Sequence, residues 1–192
     1  MLTYQANSAM TIRRLLIGSL ACLPFAAARA VFHASDDAAL KRKFRGIQGV
    51  VVVSGNFPGS KSKRWVAAYA DSGRQVFAKS TMDDRTRDNL AYTGGVLPVP
   101  KTVRVTWLEG RPRSNDDWTQ GNIVGDYTIE VASRIPDEVL DYIRAGRGRT
   151  LRLKFRLKDD GVLLGWDVEE SSTVGGGHVW RMPGGDFLDT VY

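Results

Sequence analysis

Cysteine and histidine are nearly missing from this chain, whose 192 residues hold one cysteine, Cys22, and two histidines, His33 and His178. A lone thiol closes no intrachain disulfide. Because Cys22 sits in a leader-like segment, the remainder also has no thiol for nucleophilic chemistry. HxH, HExxH and Cys–His spacings do not occur, so a transition-metal site is not expected. No serine occupies a G-x-S-x-G elbow, which removes the usual mark of an activated hydroxyl nucleophile. Gly94-Gly95 and Gly175-Gly176-Gly177 lack a following Lys-Ser/Thr, so neither is a phosphate loop. No cofactor is expected.

Long apolar runs are missing as well. The stretch Leu15 to Ala27 falls short of the ~20 residues that a spanning helix needs. Arg13 and Arg14 precede it and Ala28-Arg29-Ala30 closes it, which describes an export signal over residues 1–30. Met10 is a sufficient start for that signal, since Met1 to Ala9 adds nothing it requires. Two processing routes remain open. Cleavage after Ala30 releases residues 31–192. Alternatively, Cys22 preceded by Ser19-Leu20-Ala21 is an irregular lipobox, and lipidation there would tether the protein to the envelope. Either route places the folded part in the periplasm.

Bases number 27 against 21 acids, a formal charge of +6. Three of those bases (Arg13, Arg14, Arg29) and no acid lie in the signal, so residues 31–192 carry +3. So small an excess gives no reason to expect nucleic acid.

The length from 31 to 192 suits a single β-rich domain with a sizeable core. Ser35-Asp36-Asp37 before Ala38 to Arg45 reads as a short capped helix. Ile47 to Ser54 reads as a buried strand. Trp65 to Ala70 and Arg74 to Ala78 read as a hairpin turning at Asp71-Ser72-Gly73. Ser80 to Gly95 reads as a long loop with one helical turn near Asp84–Leu90, and Glu109 to Gly121 as an exposed loop. Val103, Val105 and Trp107 share one strand face, and Tyr127, Ile129 and Val131 another. Pro136, Asp137 and Glu138 begin a helix whose buried stripe is Val139, Leu140 and Ile143 and whose end is Gly146. Leu151, Leu153, Phe155 and Leu157 then alternate with Arg152, Lys154, Arg156 and Lys158. Asp159-Asp160-Gly161 turns that strand into Val162 to Val168, and a last short strand runs from His178 to Met182. The fold class that results is mainly β (α+β). It is an antiparallel β-sandwich-like sheet domain of roughly eight strands, with one inserted helix at about 136–145.

Candidate functional residues are fewer. Trp65, Trp107 and Trp166 fall on strands and are expected in the core. Trp118, in the polar loop with Asp116 and Asp117, is an exposed aromatic of the kind that anchors protein interfaces. The ladder Arg152, Lys154, Arg156 and Lys158, extended by Arg147 and Arg149, is either a solvated face braced by Glu130, Asp167 and Glu169 or a docking surface for an anionic partner. Asp167 and Glu169 share a face expected to point to water, and cross-strand ion pairs explain them better than acid–base catalysis. His178 reads as a polar residue at a strand edge.

Leu97-Pro98-Val99-Pro100-Lys101 leads into Val103-Arg104-Val105-Thr106-Trp107. Gly125-Asp126-Tyr127, Arg134-Ile135-Pro136-Asp137-Glu138, and Leu153-Lys154-Phe155 through Gly165-Trp166-Asp167 follow. Over about residues 95–170 this pattern resembles families of short periplasmic proteins and lipoproteins of proteobacteria. Some of these look like immunity proteins against type VI secretion lipase effectors. The resemblance implies a non-enzymatic protein that binds a secreted effector, and it puts no catalytic residue on the chain. Two other readings stay open: a sandwich that binds an envelope lipid or small ligand in an arginine-rimmed cleft, and a carboxylate-dependent hydrolase.

Overall fold

The structure is a computed structural model that describes residues 36–83, 87–90, 97–109, 121–171 and 177–189. The leader with Cys22, His33, and the loop residues Asp116, Asp117 and Trp118 lie outside the described residues. The chain divides into two units, Met1–Ala39 and Leu40–Tyr192. Of the first, residues 36–39 are described, and they are helical.

Helix α1 covers 36–43, close to the expected span. Nine strands follow among the described residues: β1 (Val50–Asn56), β2 (Lys63–Ala70), β3 (Gln75–Met82), β4 (Arg87–Leu90), β5 (Thr102–Glu109), β6 (Ile123–Glu130), β7 (Arg149–Leu157), β8 (Val162–Ser171) and β9 (His178–Gly185). A 3-10 turn at Ala132–Arg134 and helix α2 (Asp137–Arg144) separate β6 from β7. The strands form a five-stranded sheet in the order β4-β1-β7-β8-β9 and a four-stranded sheet in the order β3-β2-β5-β6. A mainly β, α+β architecture with an inserted helix is therefore what the chain adopts.

The apolar halves of the alternating strands meet between the sheets. Leu151, Leu153, Phe155 and Leu157 of β7 join Val66 and Ala68 of β2 and Val103, Val105 and Trp107 of β5 in one core cluster. The rings of Phe77 and Phe155 lie 5.6 Å apart and tie the two sheets together. Helix α2 adds Val139, Leu140 and Ile143, as its pattern predicts. Pro136 precedes the helix as its N-cap, with extended backbone, and is not its first helical residue.

Three expectations change. Polar Arg87–Leu90, read as part of a helical turn, is a strand antiparallel to β1. The sheets are also not wholly antiparallel, because β1 runs parallel to β7, with Val52 beside Leu153. Finally, Trp65, expected in the core, is 46 % exposed. It shares the outer face of β2 with Ala67 and Tyr69, alternating with buried Val66, Ala68 and Ala70, and has a φ of +52° beside a slipped register between Arg64 and Ala67.

The Trp107 indole packs flat over Gly125, where a β-carbon would overlap it, and stacks on Tyr127 at 5.2 Å. Gly125→Ala is therefore expected to cost about 1–3 kcal/mol through overpacking, read by denaturant unfolding. An unchanged midpoint would show that the indole does not occupy this position.

Candidate functional site

The basic ladder of β7 lies on the outer face of the five-stranded sheet, and the register delivers one acid to it. Arg152 stands opposite Asp167 of β8. Arg152 Nε and Nη2 donate to the two Asp167 oxygens at 2.7 and 2.8 Å. Lys154 Nζ lies 3.0 Å from Asp167 Oδ2, and both side chains are 0 % exposed. The cross-strand pair is as expected, but the solvated face is not. Arg152, Lys154 and Asp167 are buried, so Arg152 and Lys154 present no outward contact surface. Trp180 of β9 lies over Arg152, its ring centre 5.0 Å away, and the segment after β9 covers the rest. Phe187 covers Lys154 at 5.2 Å and Arg156 at 4.2 Å from its ring centre. Lys154 also donates to the Asp189 carbonyl at 2.7 Å, and Arg156 pairs with the Asp189 carboxylate at 2.9 Å.

A small residue lets this segment approach. A β-carbon at Gly165 would press on Phe187. Asp186 fastens the crossing to the sheet. Its amide donates to Leu164 O at 2.8 Å, its carboxylate accepts the Leu164 amide at 2.8 Å, and Arg134 bridges to it at 2.6 Å. Burial pushes the Asp186 carboxyl up, but the Arg134 and Leu164 donors and the Arg134 charge outweigh it and hold it below its ordinary value. Burial also pulls the Lys154 ammonium down, against the opposing pull of Asp167.

The remaining candidates separate. Lys158 pairs with Asp160 in the β7–β8 turn. Arg149 lies over the Tyr142 ring at 3.8 Å and 3.4 Å from Glu170. Arg147 is exposed in the turn after α2. Glu130, expected to brace the ladder, lies exposed on β6 at the edge of the other sheet. Asp167 does not point to water, and Glu169 meets His178 Nδ1 at 2.7 Å on the edge pair β8–β9. Among the described residues no group of His, Cys, Asp or Glu is placed to hold a metal ion, and no helix is long and apolar enough to cross a membrane.

The four-stranded sheet behaves in the opposite way, and its outer face stays exposed. Along β2 this face shows Trp65 and Tyr69, each 46 % exposed, with half-buried Ala67 between them. Ala78 of β3 and Thr106 of β5 flank Ala67, and Arg104 stands opposite Tyr69. Arg104 holds Asp126 of β6 with two bonds of 2.7 and 2.6 Å. Those bonds keep the Asp126 carboxyl below its ordinary range. The result is an aromatic, small-residue strip with a fixed ion pair beside it. Ile123 and Val124 are exposed at the start of β6. Sequence reasoning missed Trp65 and Tyr69, since alternation alone cannot say which face of a sheet is covered.

No family model, curated protein or solved structure matches this chain.

Asp167→Ala would leave two buried cations uncompensated, and a loss of roughly 3–5 kcal/mol in unfolding free energy is expected. A loss under 1 kcal/mol would mean that the ladder is hydrated after all. Asp186 gives a pH test. Its folded carboxyl ionises below the 3.8 of an ordinary aspartate. The stability it contributes is therefore complete above that value and disappears as pH falls through the lower folded value. The gap between the parent and Asp186→Asn, about 1–2 kcal/mol at neutral pH, should close in acid unfolding below pH 3.8. A gap independent of pH would contradict this.

Proposed function

We propose that this is an exported, non-enzymatic binding protein that acts in the periplasm by occluding a protein partner. Its most specific form is an immunity protein set against a secreted antibacterial effector of the lipase type. The observation that carries the proposal is the exposed outer face of the four-stranded sheet. Tryptophan and tyrosine are the residues most enriched at the energetic centres of interfaces. Here one of them, Trp65, has left-handed backbone that a non-glycine residue adopts at a cost. Such strain persists where exposing the side chain is useful.

The occupant that suits the strip is a folded protein with an apolar ridge. Trp65 and Tyr69 are about 13 Å apart at ~3.3 Å per strand residue, with alanines 67 and 78 and Thr106 forming the shallow floor. The exposed Arg104–Asp126 pair belongs to the polar rim of such an interface. The resemblance over residues 95–170 points to the effector as the kind of partner, and Trp118, read from the sequence as an interface anchor, would add a third aromatic. Against the hydrolase reading, both Asp167 oxygens are committed to Arg152 and Lys154 beneath Phe187.

The test uses the exported protein and the effector encoded beside it, with binding measured by calorimetry. Trp65→Gly should weaken binding about thirtyfold, as expected for loss of an interfacial tryptophan, while leaving the thermal midpoint equal or higher, because glycine adopts that φ freely. Tyr69→Ala should weaken binding without loss of fold. No association with the effector, or unchanged affinity in both variants, overturns the proposal.

A further inference from the structure

A cleft of about 550 Å³ opens where the segments leading into β1 and β7 meet the C-terminal end of α2. We infer that it is a binding site for a single-chain amphiphile with an anionic head group, a function separate from the protein-docking face of the other sheet. Ile47, Val51 and Ile143 give the cleft an apolar lining, and Arg144, Arg147 and Arg149 stand around it. Its size lies within the ~300–1,000 Å³ typical of small-molecule sites. Gly46 and Gly148, at φ +83° and +72°, turn the chain along its walls without adding side chains to fill it.

The three arginines differ in what already holds them. Arg144 pairs with Asp141 at 2.7 Å and donates to the carbonyls of Arg45 and Lys43. Arg149 donates to Tyr142 O at 2.7 Å and lies 3.4 Å from Glu170. These two guanidiniums are fixed, and Asp141 and Glu170 offset their charge. They also sit at the C-terminal end of α2, whose carbonyls favour cations. Arg147 is exposed and makes no hydrogen bond or ion pair among the described residues. One positive charge is therefore left over beside a cleft whose floor is partly apolar. An inorganic anion would leave the lining unused, and a neutral lipid would leave Arg147 unused. A fatty carboxylate or a monoalkyl phosphate uses both.

The experiment titrates the exported protein, below micelle formation, with dodecanoate, dodecyl phosphate, dodecanol and inorganic phosphate, reading heat and thermal midpoint. Either anionic amphiphile should bind and raise the midpoint by mass action, and the tighter of the two identifies the head group as carboxylate or phosphate ester. Arg147→Glu touches no partner and should keep the fold while weakening binding about tenfold or more, as for loss and reversal of one charge contact. Gln48→Trp, at an exposed position on the rim, should block the cleft. The inference is overturned if neither amphiphile binds at millimolar concentration, if dodecanol or phosphate binds as well as the amphiphiles, or if both variants bind like the parent.

Discussion

Asp167 is the constraint on which the outer half of this sandwich depends. A strand with Arg152, Lys154 and Arg156 on one face cannot be covered by protein unless those charges are answered, because each buried cation loses hydration worth several kcal/mol. One carboxylate takes three charged hydrogen bonds and ion-pair contacts from two of them. The Asp189 backbone and side chain answer the rest. Phe187 then lies over the aliphatic and cationic ends of Lys154 and Arg156. Without Asp167 the segment would cover unbalanced charge. Without the segment, the ladder would be an ordinary solvated face. Each makes the other possible, and Gly165 and the Arg134–Asp186 bridge supply the room and the anchor.

Much of the fold was legible in the sequence because it is written in local periodicity. The alternation of β7, the Asp159-Asp160-Gly161 turn and the stripe of α2 each commit a short segment to one geometry. The turn even sets the register that puts Arg152 against Asp167. What escaped was long-range. A polar face that alternates with an apolar one ordinarily meets water, and the ladder itself does not reveal that residues more than thirty positions later fold across it. The parallel pairing of β1 with β7 is equally invisible, since nothing near Val52 specifies Leu153 as its neighbour. Arg87–Leu90 has the composition of a loop and becomes a strand because β1 offers it an edge. Trp65 was misjudged because alternation puts Trp65, Ala67 and Tyr69 on one face and Val66, Ala68 and Ala70 on the other without saying which face the second sheet covers.

Lys63 shows a second solution to the same problem. It is buried between the sheets, where its ammonium donates to Asn56 Oδ1 at 2.9 Å and meets Asp159 at 3.2 Å. Its hydrocarbon stem leads the charge to within 5.5 Å of the Trp107 ring. Burial pulls its pKa down, and Asp159 only partly restores it. Asn56 ends β1 and Asp159 starts the β7–β8 turn, so one side chain from the four-stranded sheet pins two elements of the five-stranded one. Both sheets are thus joined by apolar packing in the middle and by a polar clamp at one end.

This asymmetry moves the functional argument away from the most charged strand. The ladder is conspicuous in sequence, yet its central charges are consumed internally, and a surface already satisfied by its own acids has little left to offer a partner. The four-stranded sheet has the reverse character. Its outer face carries the exposed Arg104–Asp126 pair and leaves two aromatic rings in water. Exposed aromatic area is what association can recover, at about 25 cal/mol per Å² before the costs of docking. Of the arginines beside the ladder, Arg147 alone combines exposure with the absence of a partner among the described residues, and it stands over a hollow and not over a flat sheet. The two proposed binding sites therefore lie where the folding interactions end: the open sheet for a macromolecule, and the mouth of the cleft for a small anion with an apolar tail.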